Sequence, residues 1–422
     1  MNDDELLDEK CCGHLPREII ELIIPDVATR RSLSRRVCAE ADEACNKITV
    51  WSSEREIPPA MRAFETLARK IARGHGAMKL KIRWDYSQSN AIDRVLDAIE
   101  HSTLGPRIVA VDVIGRSERE IRSFGCTFDM TPLAHKAWAQ SVVSVSFSDN
   151  AIEQCDVYDP VVISDAAMPN LERLDLTGCV LDGALLDLSD RLWPKLDALH
   201  LELCRAPSQL AMKSLPCGSV LRHLRISGQS KRKPMHLPDR VDMSGCERLD
   251  VIDMDSCIGL RELVLPPRSS IVVLSQCPDL VALEGLDRET TKDLELFLQE
   301  CPSLTTGLDC IRRPLSDLIM QFCDSIPGVI RIWAPDRLER VEISECARLG
   351  GLTVGRQNDD EAPLLESVCI VHCKSLSELH LPHRCPRLST LQAQWCPVLH
   401  RMDLPRLLSP ELDLSIRVDR QS

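Results

Sequence analysis

An α/β solenoid is the fold class the sequence predicts, and three observations predict it. One frame, apolar-x-x-apolar-x-apolar-x-x-Cys, recurs along most of the 422 residues. Ten of the 20 cysteines fall at its last position, and no C-x-x-C pair occurs anywhere in the chain. Hydrophobic residues reach 44% although aromatics are only 3%, so the apolar interior is built from repeated aliphatic positions rather than from a few large rings.

Taken from the N-terminus, residues 1–13 read as an acidic tail. Met1-Asn-Asp-Asp-Glu5-Leu-Leu-Asp-Glu9 carries acids where a secretory signal has a basic segment followed by an apolar one, and no stretch of the chain runs apolar for membrane-spanning length. The expectation is therefore a chain without signal peptide or membrane contact, working in a reducing cytosol or nucleus with free thiols. Residues 14–52 stand apart from the repeat. Leu15-Pro16-Arg-Glu18-Ile19-Ile20-Glu-Leu22-Ile23-Ile24 has proline in its first turn and isoleucines on one side, the pattern of a short helix. Thr29 can cap a second helix in which Leu33, Val37, Cys38, Ala41, Ala44, Cys45 and Ile48 fall at helical spacing, ending at Trp51. Residues 53–76 read as a helical linker. In 77–140 the repeat is longer and less regular: Leu80/Ile82 and Val111/Val113 alternate as strands, and Ala91-Ile92-Asp-Arg-Val95-Leu96-Asp-Ala-Ile99 between them has helical spacing.

From 141 to 422 the frame is clear. Leu171/Leu174/Leu176/Cys179 and Leu196/Leu199/Leu201/Cys204 are followed by copies ending at Cys257, Cys323, Cys346, Cys373 and Cys396, with less regular ones ending at Cys246, Cys277 and Cys301. Start-to-start steps from Leu171 are 25, 25, 17, 11, 20, 24, 22, 23, 27 and 23 residues. This is the leucine-rich-repeat frame and, for most steps, its period, so the expected architecture is a leucine-rich-repeat horseshoe. Alternation over the middle residues makes a short strand with two aliphatics inward, and the cysteine fills the turn that follows as a small apolar group with a weak S–H donor. After the cysteine many copies continue x-x-Leu-x-x-Leu-x-Leu-Pro, as in Cys257-Ile-Gly-Leu260-Arg-Glu-Leu263-Val-Leu265-Pro, too short for a helix and so extended or 3₁₀. The polar end, residues 411–422, can pair as a last strand.

If the frame's fourth and sixth residues point inward, the fifth faces outward on the concave side. That position reads Asp175, His200, Arg225, Asp242, Asp253, Val273, Phe297, Ile319, Glu342, Cys369 and Gln392. Ile271, Val273, Phe297 and Ile319 then form an apolar patch on a polar face, the expected contact for a protein substrate.

The leader resembles the F-box family. Leu15-Pro16-x-Glu18-Ile19-Ile20, Ile23-Ile24, Leu33, Val37-Cys38 and Trp51 stand in that family's order. The segment Pro25-Asp-Val-Ala-Thr29 lacks the customary leucine-aspartate step, and Arg30, Arg31, Arg35 and Arg36 are unusually basic. The resemblance implies a helical cap in which Leu15, Pro16, Ile19, Ile20, Ile23, Leu33, Val37, Cys38 and Trp51 bind a Skp-type adaptor. It also implies a cullin-based ubiquitin ligase whose substrate is selected by the repeats. The bland alternative is a helical segment that only covers the first turn of the stack.

Little else in the sequence suggests chemistry. No phosphate-binding G-x-x-x-x-G-K-[ST], H-E-x-x-H or G-x-S-x-G motif is present, so no cofactor and no catalytic residue is expected. Cys277-Pro-Asp279 places a cysteine near an acid, but at a frame position where it is expected to be buried. Cys155-Asp156 lies off the frame without an evident base, and Cys11-Cys12-Gly-His14 offers three soft ligands on the acidic tail, too few to predict a metal. Lysine and arginine number 51 against 64 acids, a net charge of −13, which argues against nucleic acid as a partner.

Overall fold

The structure is a computed structural model. It describes residues 47–52, 78–85, 96–97, 99–100, 108–116, 128–129, 131–149, 159–162, 168–177, 179–181, 193–202, 220–228, 234–326, 328–355, 361–403 and 413–417. The chain divides into two units, residues 1–185 with 191–196, and residues 186–190 with 197–422.

In the first unit the strands Lys47–Ser52, Met78–Asp85, Ile108–Arg116, Ser144–Asp149 and Arg173–Thr177 pair in parallel, in that order. A second parallel ladder joins Phe128–Asp129, Asp159–Val162 and Cys179–Leu181. Val111, Val145, Phe147, Leu174 and Leu176 are buried, the alternation of a strand with one face inward. Residues 96–97 and 99–100 are helical with Leu96 and Ile99 buried, as the spacing between two strands predicts. The other helical pieces described in this unit are one α-turn, Thr131–Ala134, and the 3₁₀ segment Ala137–Ser141. One expectation is corrected here. The second leader helix was expected to run past Ile48 to Trp51, but Lys47–Ser52 is a strand, with Trp51 opposite Arg83. Lys-Ile-Thr-Val-Trp-Ser is rich in β-branched and aromatic residues, and parallel pairing with a neighbouring strand outweighs its helical spacing. Leu15, Pro16, Ile19, Ile20, Ile23, Leu33, Val37 and Cys38 lie outside the described residues, as do residues 53–76, expected as a helical linker, and Cys11, Cys12, His14 and Cys155.

The described residues of the second unit form a parallel β-solenoid with almost no helix. Its front sheet contains Ala198–Glu202, His223–Ser227, Val251–Asp255, Ile271–Ser275, Leu294–Gln299, Leu315–Gln321, Arg340–Ser344, Ser367–Val371, Thr390–Gln394 and Asp413–Arg417. Equivalent frame residues stand opposite one another from strand to strand, for example Ile226 opposite Met254 and Met254 opposite Leu274. The apolar runs after the cysteines form the back as short parallel ladders: Arg240–Asp242, Glu262–Val264 and Ala282–Glu284, then Gly328–Ile332, Leu349–Val354, Glu378–His380 and Arg401–Asp403. The outer side of these turns is thus extended, one of the two conformations their length allows. Leucines from front and back, such as Leu274 and Leu263, are wholly buried and form the apolar interior. The predicted last strand forms at Asp413–Arg417, paired with Thr390–Gln394.

The step lengths 17 and 11 contain a second correction. The copy ending at Cys246 is not a turn of its own: its strand, Arg240–Asp242, lies on the back beside Glu262–Val264. The two short steps add up to one turn of 28 residues, from Leu221 to Leu249. Asp242 therefore leaves the front face. Cys246 fills the second corner, where the chain returns to the front, and Cys385 does the same before Leu388.

The first corner explains the recurring cysteine. Ser256, Gln276, Glu300, Phe322, Glu345, His372 and Trp395, each directly before a frame cysteine, have φ between 51° and 57°. This left-handed residue turns the chain off the front strand without breaking the ladder, because its N–H still donates to the next turn, as Gln276 does to the carbonyl of Gln299 at 2.8 Å. The cysteine then points inward. Cys301 Sγ lies 3.6 Å from the carbonyl of Leu274 in the preceding turn and 3.5 Å from that of Gln299, and Cys257, Cys277, Cys323, Cys373 and Cys396 repeat the arrangement. A small, weakly donating side chain is what this space accepts. Between turns, Arg313 is fully buried and donates to the carbonyls of Pro266 (2.9 Å) and Ser269. Burial lowers its pKa to about 10, so it remains a cation at neutral pH.

Candidate interaction surface

Outward residues of the front strands of the second unit form columns because the turns are stacked in register. Val273 stands opposite Phe297, and Phe297 opposite Ile319. Their strand neighbours Val272, Leu274, Leu296, Leu298, Leu318 and Met320 are buried, so the three residues belong to the outer face, partly exposed, and the frame is not slipped. Adjacent strands lie about 4.8 Å apart, so the column is a continuous apolar strip roughly 10 Å long. Asp253 borders it on one side and Glu342 on the other. Ile271 sits in the neighbouring column, between Val251 and Glu295, and Val251 extends the patch in a way the fifth-position reading missed.

Carboxylates dominate the surroundings. Arg225 pairs with Asp253 at 3.3 Å, and Arg340 pairs with Asp317 at 2.8 Å while also feeling Glu342 and Glu295. These two cations face Asp253, Asp255, Glu295, Asp317 and Glu342, so the border of the apolar strip is net negative. Burial, together with the nearby Asp253, pushes the Asp255 carboxyl upward. Further along, Cys369 is half-buried, its Sγ 3.5 Å from Gln392 Oε1, and burial beside Glu342 pushes its thiol up.

A groove along the first corner escaped sequence reasoning. It is an open groove of about 540 Å³ on the turns that also carry Asp253, Val273, Phe297 and Ile319. Pro234, Ile258, Pro278, Pro302 and Phe322 give it apolar walls, and Glu300 and Asp324 are the charged residues among the described ones that line it. Phe322 is 49% exposed in spite of its left-handed backbone. The available signal was an aromatic directly before Cys323, where Ser256, Gln276 and Glu300 are polar in the preceding turns.

Cys277 is wholly buried, and its thiol is pushed up by hydrogen bonding to Cys257 and by burial. It has neither exposure nor a favoured thiolate. Among the described residues no group of three or more His, Cys, Asp or Glu side chains is arranged to hold a metal, and no helix is long and apolar enough to cross a membrane. Compared with known proteins, the chain matches no family model, and no curated protein matches it.

Proposed function

We propose that this protein is a leucine-rich-repeat protein-binding module that serves as the substrate receptor of a Skp-cullin-F-box ubiquitin ligase. The observation that carries the binding half is the column Val273, Phe297 and Ile319, three apolar side chains in register beside Ile271 and Val251, on a sheet face bordered by carboxylates. Apolar residues there add nothing to the interior, and a contiguous apolar strip with a polar rim is the anatomy of a protein contact. The leucine-rich assignment is supported by the frame, the period and the buried corner cysteine. The adaptor half is supported by the leader's sequence pattern, with Leu15, Pro16, Ile19, Ile20 and Val37 as the contacting residues. In this reading the chain performs no bond chemistry and needs no cofactor: it holds a target near a ligase that acts in trans, and its contribution is proximity.

Co-elution of the full chain with a Skp-type adaptor, beside a Leu15→Ala/Pro16→Ala double variant, tests the adaptor half. Binding by the wild type alone, at equal melting temperatures, supports the receptor reading. Failure of both to bind, with earlier melting of the variant, makes the leader a structural cap and leaves a scaffold module. For the repeats, Phe297→Asp abolishes partner capture at unchanged melting temperature if the strip is the contact.

A further inference from the structure

We propose that the interior of the solenoid holds a small monovalent anion, a halide such as chloride, between Arg313 and Ser269. This site is separate from the proposed protein contact and does not depend on it. Arg313 stands two residues before the strand Leu315–Gln321, and Ser269 two residues before Ile271–Ser275; both are wholly buried. The guanidinium reaches across the intervening turn of Leu294–Gln299, where Nη1 donates to the carbonyl of Pro266 at 2.9 Å and Nη2 to that of Ser269.

Two donors remain at this contact. Arg313 Nε and Ser269 Oγ are buried and have no hydrogen-bond partner among the described residues. They belong to one place, because Nη2 of the same guanidinium binds the carbonyl of the same serine. A buried donor that gives up water without gaining an acceptor is destabilising, and native interiors rarely keep two together.

The charge is the second argument. Arg313 is a cation at neutral pH, and burial is the one influence that moves its pKa, so no carboxylate among the described residues acts on it. The turns around it, residues 234–326, are described without a break. Their nearby carboxylates are engaged elsewhere: Asp250 with Lys292 and Ser270, and Glu284 with Arg240. Two carbonyl dipoles solvate the guanidinium but do not neutralise it, and a buried charge without a counter-charge is costly.

The occupant's chemistry follows from these groups. It accepts from an N–H and an O–H, it carries one negative charge, and it is small, because Arg313 and Ser269 are closed to solvent and a carboxylate or phosphate on a larger molecule has no way to reach them. A halide meets all three conditions. A buried water satisfies both donors and leaves the charge uncompensated, which is the alternative the test separates.

In that test the full chain is unfolded with urea at a fixed ionic strength of about 0.15 M, with sodium chloride replacing sodium gluconate, whose anion is too large to enter. An anion bound only by the folded chain lowers the unfolding constant by the factor 1 + [chloride]/Kd, so the constant is expected to fall about tenfold or more as chloride rises from about 1 to about 150 mM. Arg313→Met, which keeps an unbranched apolar stem, is expected to remove the dependence. Ser269→Ala deletes one donor and is expected to move the response to about fivefold higher chloride or more. A wild-type unfolding constant indifferent to chloride overturns the proposal and gives the two donors to water. A chloride response that Arg313→Met or Ser269→Ala retains unchanged arises elsewhere on the protein and overturns it as well. If Arg313→Met does not fold, Ser269→Ala decides by the same criterion.

Discussion

Two groups of turns in the second unit share their inward residues and differ in their outward ones. Ile271–Ser275, Leu294–Gln299 and Leu315–Gln321 bury Val272/Leu274, Leu296/Leu298 and Leu318/Met320. Arg340–Ser344, Ser367–Val371 and Thr390–Gln394 bury Val341/Ile343, Val368/Ile370 and Leu391/Ala393 just as completely. Both groups turn through a left-handed residue into a buried cysteine. Between the inward pair, however, the first group has Val273, Phe297 and Ile319, and the second has Glu342, Cys369 and Gln392. The stack forms equally well with either set. What the fold requires is written at the inward and corner positions, and the outward position is free to carry recognition.

The largest effect that tests this contrast is at a single pair of neighbours. Leu296→Ala removes a wholly buried side chain and is expected to cost about 2–5 kcal/mol in chemical denaturation. Phe297→Ala, one residue on, is expected to cost less than about 1 kcal/mol. Comparable losses at the two positions place Phe297 in the interior and remove the strip as a surface.

The corner thiols at Cys246, Cys385 and Cys396 give an intermediate effect. Burial pushes Cys246, Cys385 and Cys396 up to about 11, Cys385 by burial alone, Cys246 with help from Asp242 and Cys396 with help from Cys373. In the unfolded chain a thiol titrates near 8.5. A raised folded value means that the native state holds its proton longer, so the stabilisation is complete below about pH 8.5 and is lost as pH rises toward 11. The free energy of unfolding is therefore expected to fall through that window, by on the order of 2 kcal/mol per thiol. Stability measured by urea denaturation at pH 8, 9, 10 and 11 reads the slope. A flat profile contradicts the buried-thiol ladder, and Cys396→Ala, which removes one of these thiols, reduces the slope.

The same contrast explains what the sequence disclosed. Inward leucines and corner cysteines recur because every turn imposes the same packing, so the frame, the outer face and the extended outer runs were legible from Leu249 onward. The back strand at Arg240–Asp242 was misplaced because its Val241/Met243/Cys246 spacing imitates the front frame, and only pairing with Glu262–Val264 distinguishes the two. Lys47–Ser52 was misread because its helical spacing carries no record of the neighbouring strand. The groove is formed by residues about 20 apart in sequence that meet through stacking, and apart from the aromatic Phe322 each alone is an ordinary proline, isoleucine or polar residue.

The smallest expected effect lies at the corner itself. Asparagine tolerates the left-handed region better than most residues, so Glu345→Asn, in the second group of turns, is expected to raise stability by about 0.5 kcal/mol through relief of backbone strain. Phe322→Asn, in the first group, relieves the same strain at φ 55°. If Phe322 makes no contribution to the free protein beyond its backbone, the two gains are equal within error. If the ring packs against the apolar wall it shares with Pro302, its loss offsets part of the relief, and the gain at 322 is the smaller of the two. A larger gain at 322 means that the exposed ring is a net burden on the free protein. Parallel urea titrations of the two variants separate these cases without any ligand, and they measure how much stability the corner aromatic gives up in the absence of a partner.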